Sequence, residues 1–168
     1  IEVLKMEVID KIEPKIYVGT YEKYNNGSIG GKWLNLNDYE DINAFYKACT
    51  ELHKDESDPE LMFQDFEYIP RSMIGESWLS DEFFDFLEVV NNSDIDYEIF
   101  LSALEHGIDW DSVEGKHMGN WDSDEDFTME MLEYAPTSFV TYYIDWERCA
   151  RDYMMDFIEV DGHYFSNS

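Results

Sequence analysis

Positive charge is what this sequence has least of. Eleven Lys and Arg stand against thirty-nine Asp and Glu, a formal net charge of −28 on 168 residues. Nucleic acid and anionic lipid both recruit basic patches, so neither is expected as a partner. The complementary partner is a basic surface or a multivalent cation. Cysteine is scarce too. Cys49 and Cys149 lie far apart in sequence, fit no metal or redox spacing, and suit a reducing compartment. No run of eighteen apolar residues occurs, and the first residues lack a signal peptide's apolar centre. A cytoplasmic location is therefore expected, with Ile1, Met6 or an upstream position as the native start.

Hydrophobic residues, by contrast, make up 44% of the chain and aromatics 17%, far too many for a disordered acidic tail. The length allows one domain or two or three small ones. Like charges at this density repel one another and oppose compaction, so a fold that carries them uses the field for something.

The charge is uneven. Residues 1–71 hold fifteen acids and eight bases; residues 72–147 hold twenty acids and one base, Lys116; residues 148–168 hold four acids and two bases. The middle stretch is also rich in Phe, Trp, Leu and Tyr, so its acidity belongs to a folded segment.

Pattern and turn signals give a coarse map. Lys15–Tyr21 reads as a strand, Asn25-Asn26-Gly27 as a turn, and Lys32–Leu36 as a second strand. Ile42, Phe45, Tyr46, Cys49 and Leu52 recur at helical spacing with Asp38 as candidate cap, and Leu61–Ile69 returns to the same sheet before Pro70. Ser80 opens a helix bearing Phe83, Phe84, Leu87 and Val90. Ser93 and Asp96 open another bearing Tyr97, Phe100, Leu101 and Leu104, closed by Gly107. From Lys116 onward a strand, a helix after Ser123, a helix at Trp146–Arg151 and strands near Met154–Ile158 and His163–Phe165 are expected. The fold class is α+β, expected as domains at 15–70 (antiparallel sheet with a helix), 71–113 (acidic and helical) and 114–168 (mixed α/β).

The run NWDSDEDFTMEMLE (Asn120–Glu133) concentrates the question. From Asp122, acids fall at positions 1, 3 and 5 of an EF-hand frame and Glu133 at position 12, but position 6, which needs Gly, is Phe127. As a helix start the run is self-consistent: Ser123 caps, Asp126 completes an S-x-x-D box, and Phe127, Met131, Leu132 and Tyr134 form the buried face before Pro136. Catalysis finds no support. No Ser/His/Asp order, HExxH, CxxC or glycine-rich phosphate loop occurs, and each of the four histidines reads as a helix-end or surface residue. Neither a cofactor nor a metal is implied. The remaining physical use of the charge is imitation of a polyanion: at one charge per ~1.7 Å of duplex axis, the net charge matches about 48 Å of DNA.

The runs IYVGTYEKYNNGSIGGKWLNL (Ile16–Leu36), LHKDESDPELMFQDFE (Leu52–Glu67), YYIDWERCARDYM (Tyr142–Met154) and GHYF (Gly162–Phe165) resemble the ArdA antirestriction family. The resemblance implies a DNA mimic carried by mobile elements and phages. Such proteins occupy the DNA-binding groove of type I restriction-modification enzymes in a bacterial host. It also implies three small domains in an elongated, curved chain that dimerises through its last domain. By position the family's motif helix matches Phe127–Ala135, which assigns a dimer role to Phe127, Met131 and Tyr134. The candidate mimic surface comprises Asp81, Glu82, Asp85, Glu88, Asp94, Asp96, Glu98, Asp109, Asp111, Glu114, Asp122, Asp124, Glu125 and Asp126. The alternatives are a mimic aimed at another nuclease or DNA-binding regulator, and an acidic cation-binding protein.

Overall fold

Apolar residues at Ile16 and Val18 turn one face of β1 (Lys15–Thr20) inward and make it the central strand of a small sheet. The computed structural model describes residues 12–133 and 141–168. Two compact units divide the chain between Asn91 and Asn92.

In the first unit a single helical turn, α1 (Tyr21–Asn25), follows β1 directly. The sequence map has strand running into turn here. The helix forms because the Thr20 hydroxyl accepts from the Lys23 amide and caps it. Strand β2 (Lys32–Asn35) and the later β3 (Leu61–Glu67) flank β1 in an antiparallel β2-β1-β3 sheet. Helix α2 (Ile42–Leu52) covers it with Phe45 and Cys49. Its cap is Asp41, whose carboxylate accepts from the Ala44 amide. The expected cap, Asp38, instead ends a 3-10 turn at Leu36–Asp38. Ile16, Val18, Leu34, Leu36, Phe45 and Phe63 are the buried centre of this layer. Helix α3 (Phe83–Asn92) buries Phe83, Phe86, Leu87 and Val90, an i, i+3, i+4, i+7 stripe.

The second unit begins with α4 (Tyr97–Glu105), which buries Tyr97, Phe100 and Ala103. Its N-cap is Asp96 rather than the expected Ser93, whose hydroxyl is taken by the Ile95 amide. The short α5 (Val113–Lys116) leads into β4 (His117–Asn120), then α6 (Asp124–Met131) and α7 (Trp146–Tyr153). Strands β5 (Phe157–Val160) and β6 (His163–Ser166) complete an antiparallel β4-β6-β5 sheet. Residues 154–156, expected as strand, form a 3-10 turn. Asp161 and Gly162, at φ 49° and 81°, make the two-residue hairpin turn that the right-handed strand twist favours.

Phe127 anchors this layer. It is fully buried, stacks on Tyr164 at 4.4 Å and meets Trp121 and Phe157 edge-on at 4.8 and 5.0 Å. The expected buried face of α6 holds at Phe127, but Leu132 lies exposed just past the helix end. The fold is mixed α+β, with seven α-helices and two small antiparallel sheets among the described residues.

Candidate acidic interaction surface

Helical periodicity decides where the acids point. With Phe83, Phe86, Leu87 and Val90 inward, Asp81, Glu82, Asp85 and Glu88 fall on the solvent side. Burial of Tyr97 and Phe100 does the same for Glu98, and Asp94 and Asp96 lie exposed just ahead of α4. Asp109 and Asp111 flank Trp110 in a 3-10 turn, and Glu114 lies beside the buried Val113. Asp122, Asp124 and Asp126 are exposed as well. Glu125 alone of the fourteen candidates is half-buried.

Several of these acids also have local work. The Ser123 hydroxyl accepts from the Asp126 amide and donates to the Asp126 carboxylate, closing the box at the start of α6. Tyr164 donates its phenol to Asp124 Oδ1 at 2.7 Å; burial and that carboxylate raise the phenol's pKa. Residues that an EF-hand would need as loop positions 3–10 form α6 itself, with Phe127 in the core. The run is a helix start, not a calcium loop. Of the described ion pairs, four lie between Lys15 and Glu67 and the fifth joins Arg151 to Glu147. Leaving Glu88 out, none of these five pairs involves an acid of the candidate surface.

Charge is handled otherwise near the N-terminus. Lys23 Nζ donates to His53 Nδ1 at 2.9 Å and to Asp55 at 2.8 Å, with Glu56 at 3.5 Å. An ammonium only donates, so His53 accepts on Nδ1 and gives its Nε2 proton to the Val18 carbonyl at 3.1 Å. His53, read from sequence as a helix-end or surface residue, caps α2 yet is fully buried. His106 keeps the helix-end role, with Nδ1 2.8 Å from the Ser102 carbonyl. His117 and His163, forty-six positions apart, meet ring to ring with Nε2 and Nδ1 3.0 Å from each other. Burial, and then the neighbouring imidazole, lower the His117 pKa. Periodicity carries no signal for such distant partners.

Of the three residues assigned a dimer role, Phe127 is buried in its own unit's core and Met131 is half-buried. Tyr134 lies outside the described residues. No group of three or more His, Cys, Asp or Glu among the described residues is placed to hold a metal ion, and no described helix is long and apolar enough to cross a membrane.

The family model for the antirestriction protein ArdA matches residues 16–166, nearly the whole chain. The chain belongs to the ArdA antirestriction family. No curated protein matches it. The ArdA-like runs fall on structural pivots of the two units. Ile16–Leu36 spans β1, α1 and β2, and Leu52–Glu67 carries His53, Asp55 and Glu56 to Lys23. Gly162–Phe165 supplies the hairpin turn and Tyr164, the partner of Asp124.

Proposed function

We propose that this ArdA-family chain blocks restriction by standing in for DNA. It occupies the DNA-binding groove of a type I restriction-modification enzyme as a homodimer in the bacterial cytoplasm and catalyses nothing. The observation that carries this reading is the solvent-facing set of carboxylates in each unit: Asp81, Glu82 and Asp85 in the first, and Asp94, Asp96, Glu98, Asp109, Asp111, Glu114, Asp122, Asp124 and Asp126 in the second. A DNA-binding groove is lined to receive phosphates, and phosphate contacts supply much of DNA affinity without reading sequence. Carboxylates fixed on helix faces satisfy the same lysines and arginines, and complementary potentials steer the encounter. In this reading segments 15–70, 71–113 and 114–168 are successive parts of the counterfeit.

Dimerisation through the last part would use α6. Met131 is the described member of the assigned set with side-chain surface to offer, and Leu132, Tyr142 and Met155 leave exposed apolar area in the same unit. Phe127 supports that helix from inside.

Fluorescence anisotropy of labelled duplex bound to a type I enzyme tests the proposal. Added protein is expected to release the duplex at low salt, and to do so less well as ionic strength rises, because steering between charged surfaces is screened. A duplex that stays bound against a large excess at low salt would overturn it.

A further inference from the structure

The second unit contains a cavity of about 280 Å³ between the first turns of α4 and the β5–β6 hairpin turn. That is below the range of about 300–1,000 Å³ usual for small-molecule sites, and it suits a single long side chain. Its polar lining includes Asp96, Glu98, Asp161 and the His163 imidazole; Ile99 and Val160 supply an apolar wall. The lining is held in place. Asp161 sits in the left-handed backbone of the hairpin turn, and the register Val160↔His163 fixes the residues on either side. The His163 ring is oriented by His117, whose lowered pKa keeps that neighbour neutral at pH 7. Asp96 makes no side-chain capping bond to its own helix, so its carboxylate is not consumed there. No described ion pair engages Asp96, Glu98 or Asp161.

We propose that this cavity is a socket for one arginine side chain of the protein that the acidic surface binds. The inference rests on the DNA-substitute reading and adds a fixed anchoring point to it. Arginine combines an aliphatic stem, which lies against Ile99 and Val160, with a forked head that carboxylates grip by charge-assisted hydrogen bonds. A hard metal ion fits less well, because it needs oxygen ligands converging to about 2.0–2.6 Å, and no such described group exists. Exposed acids alone are spread along the chain. What singles out this place is the combination of a half-open cavity, an apolar wall and three carboxylates that no described ion pair engages.

A socket makes a local prediction that a distributed field does not. In the DNA-release assay, D96N/E98Q/D161N is compared with E105Q/D152N/D156N, which removes the same charge from three exposed acids of the same unit that lie outside the candidate surface and the cavity. Asparagine tolerates the left-handed backbone at position 161. The cavity set is expected to raise the half-maximal inhibitor concentration about tenfold or more, as loss of a buried interface anchor does. The control set should shift it by less than about threefold, because a summed field is redundant. Ser102→Phe fills the cavity without changing charge and should also cause a loss of about tenfold. Thermal melts establish that each variant is folded, and if the charge variants are not, Ser102→Phe decides alone. Equal shifts from the two charge sets, or an unaffected Ser102→Phe, would overturn the socket and leave the distributed surface standing. A wild-type protein that releases no duplex would overturn the underlying reading and the socket with it.

Discussion

Lys23 and Lys116 stand in regions of the chain that handle charge differently. Lys23 is held by His53, Asp55 and Glu56, and Lys15 and Lys54 each take a carboxylate of their own. Up to Arg71 the protein therefore uses its cations to tie elements together. Beyond Arg71, Lys116 is the only base until Arg148, and acids there turn to solvent or to neutral donors such as Tyr164, Ser123 and Trp121. Hydrogen bonds from neutral groups satisfy a carboxylate's geometry without cancelling its charge. The second region keeps its field and is held together by aromatic packing instead.

Phe127→Ala should have the largest effect on that arrangement. Removing a fully buried ring that touches Trp121, Phe157 and Tyr164 is expected to destabilise the second unit by about 3–5 kcal/mol. Denaturant unfolding followed by Trp fluorescence measures it. Next come the two lysines. Lys23→Met leaves His53 Nδ1 without a donor and should destabilise the first unit by about 1–3 kcal/mol, the range for an unsatisfied buried polar group. Lys116→Met, at a half-buried residue in none of the five ion pairs, should cost less, about 0.5 kcal/mol. Equal effects from the two substitutions would erase the contrast between the regions.

Tyr164→Phe removes the phenol from Asp124 and should cost about 1 kcal/mol of unfolding free energy while leaving the net charge at −28. The smallest effect is chemical. Burial pushes the Cys49 thiol up to about 12, whereas Cys149 is only half-buried. At pH 8 a thiol reagent should label Cys149 first and reach Cys49 only on unfolding, because the thiolate is the reactive form.

Much of this was legible in the sequence, for a physical reason. The outward acids follow from the inward stripe of α3, read from sequence as Phe83, Phe84, Leu87 and Val90 and correct at all but one position, since Phe86 is buried and Phe84 only half-buried; the start of α6 follows from Ser123 and Asp126. Strands β1, β2 and β3 were readable from their flanking turns and alternation. One-turn helices were not: α1 spans five residues, too few to show a period, and depends on a cap supplied by the preceding strand. Contacts between distant positions were equally hidden. Nothing near His53 announces Lys23, and nothing near His163 announces His117 or the acids of α4. Chain folding, rather than local pattern, creates those partners.

A matched pair of charge-neutralised proteins would decide whether the bare region carries the activity. One changes Asp81, Glu82, Asp85, Asp94, Asp109, Asp111, Glu114 and Asp122 to their amides. The other changes Glu22, Asp38, Glu40, Glu51, Asp58, Glu60, Asp65 and Glu67, which removes the same charge from the first region. Both are titrated against a type I enzyme bound to labelled duplex, with melting curves to confirm folding. The first set is expected to lose the ability to release DNA and the second to keep most of it. Equal loss from both sets, or none from either, would contradict the proposal that the carboxylates from Asp81 onward replace the phosphates of DNA.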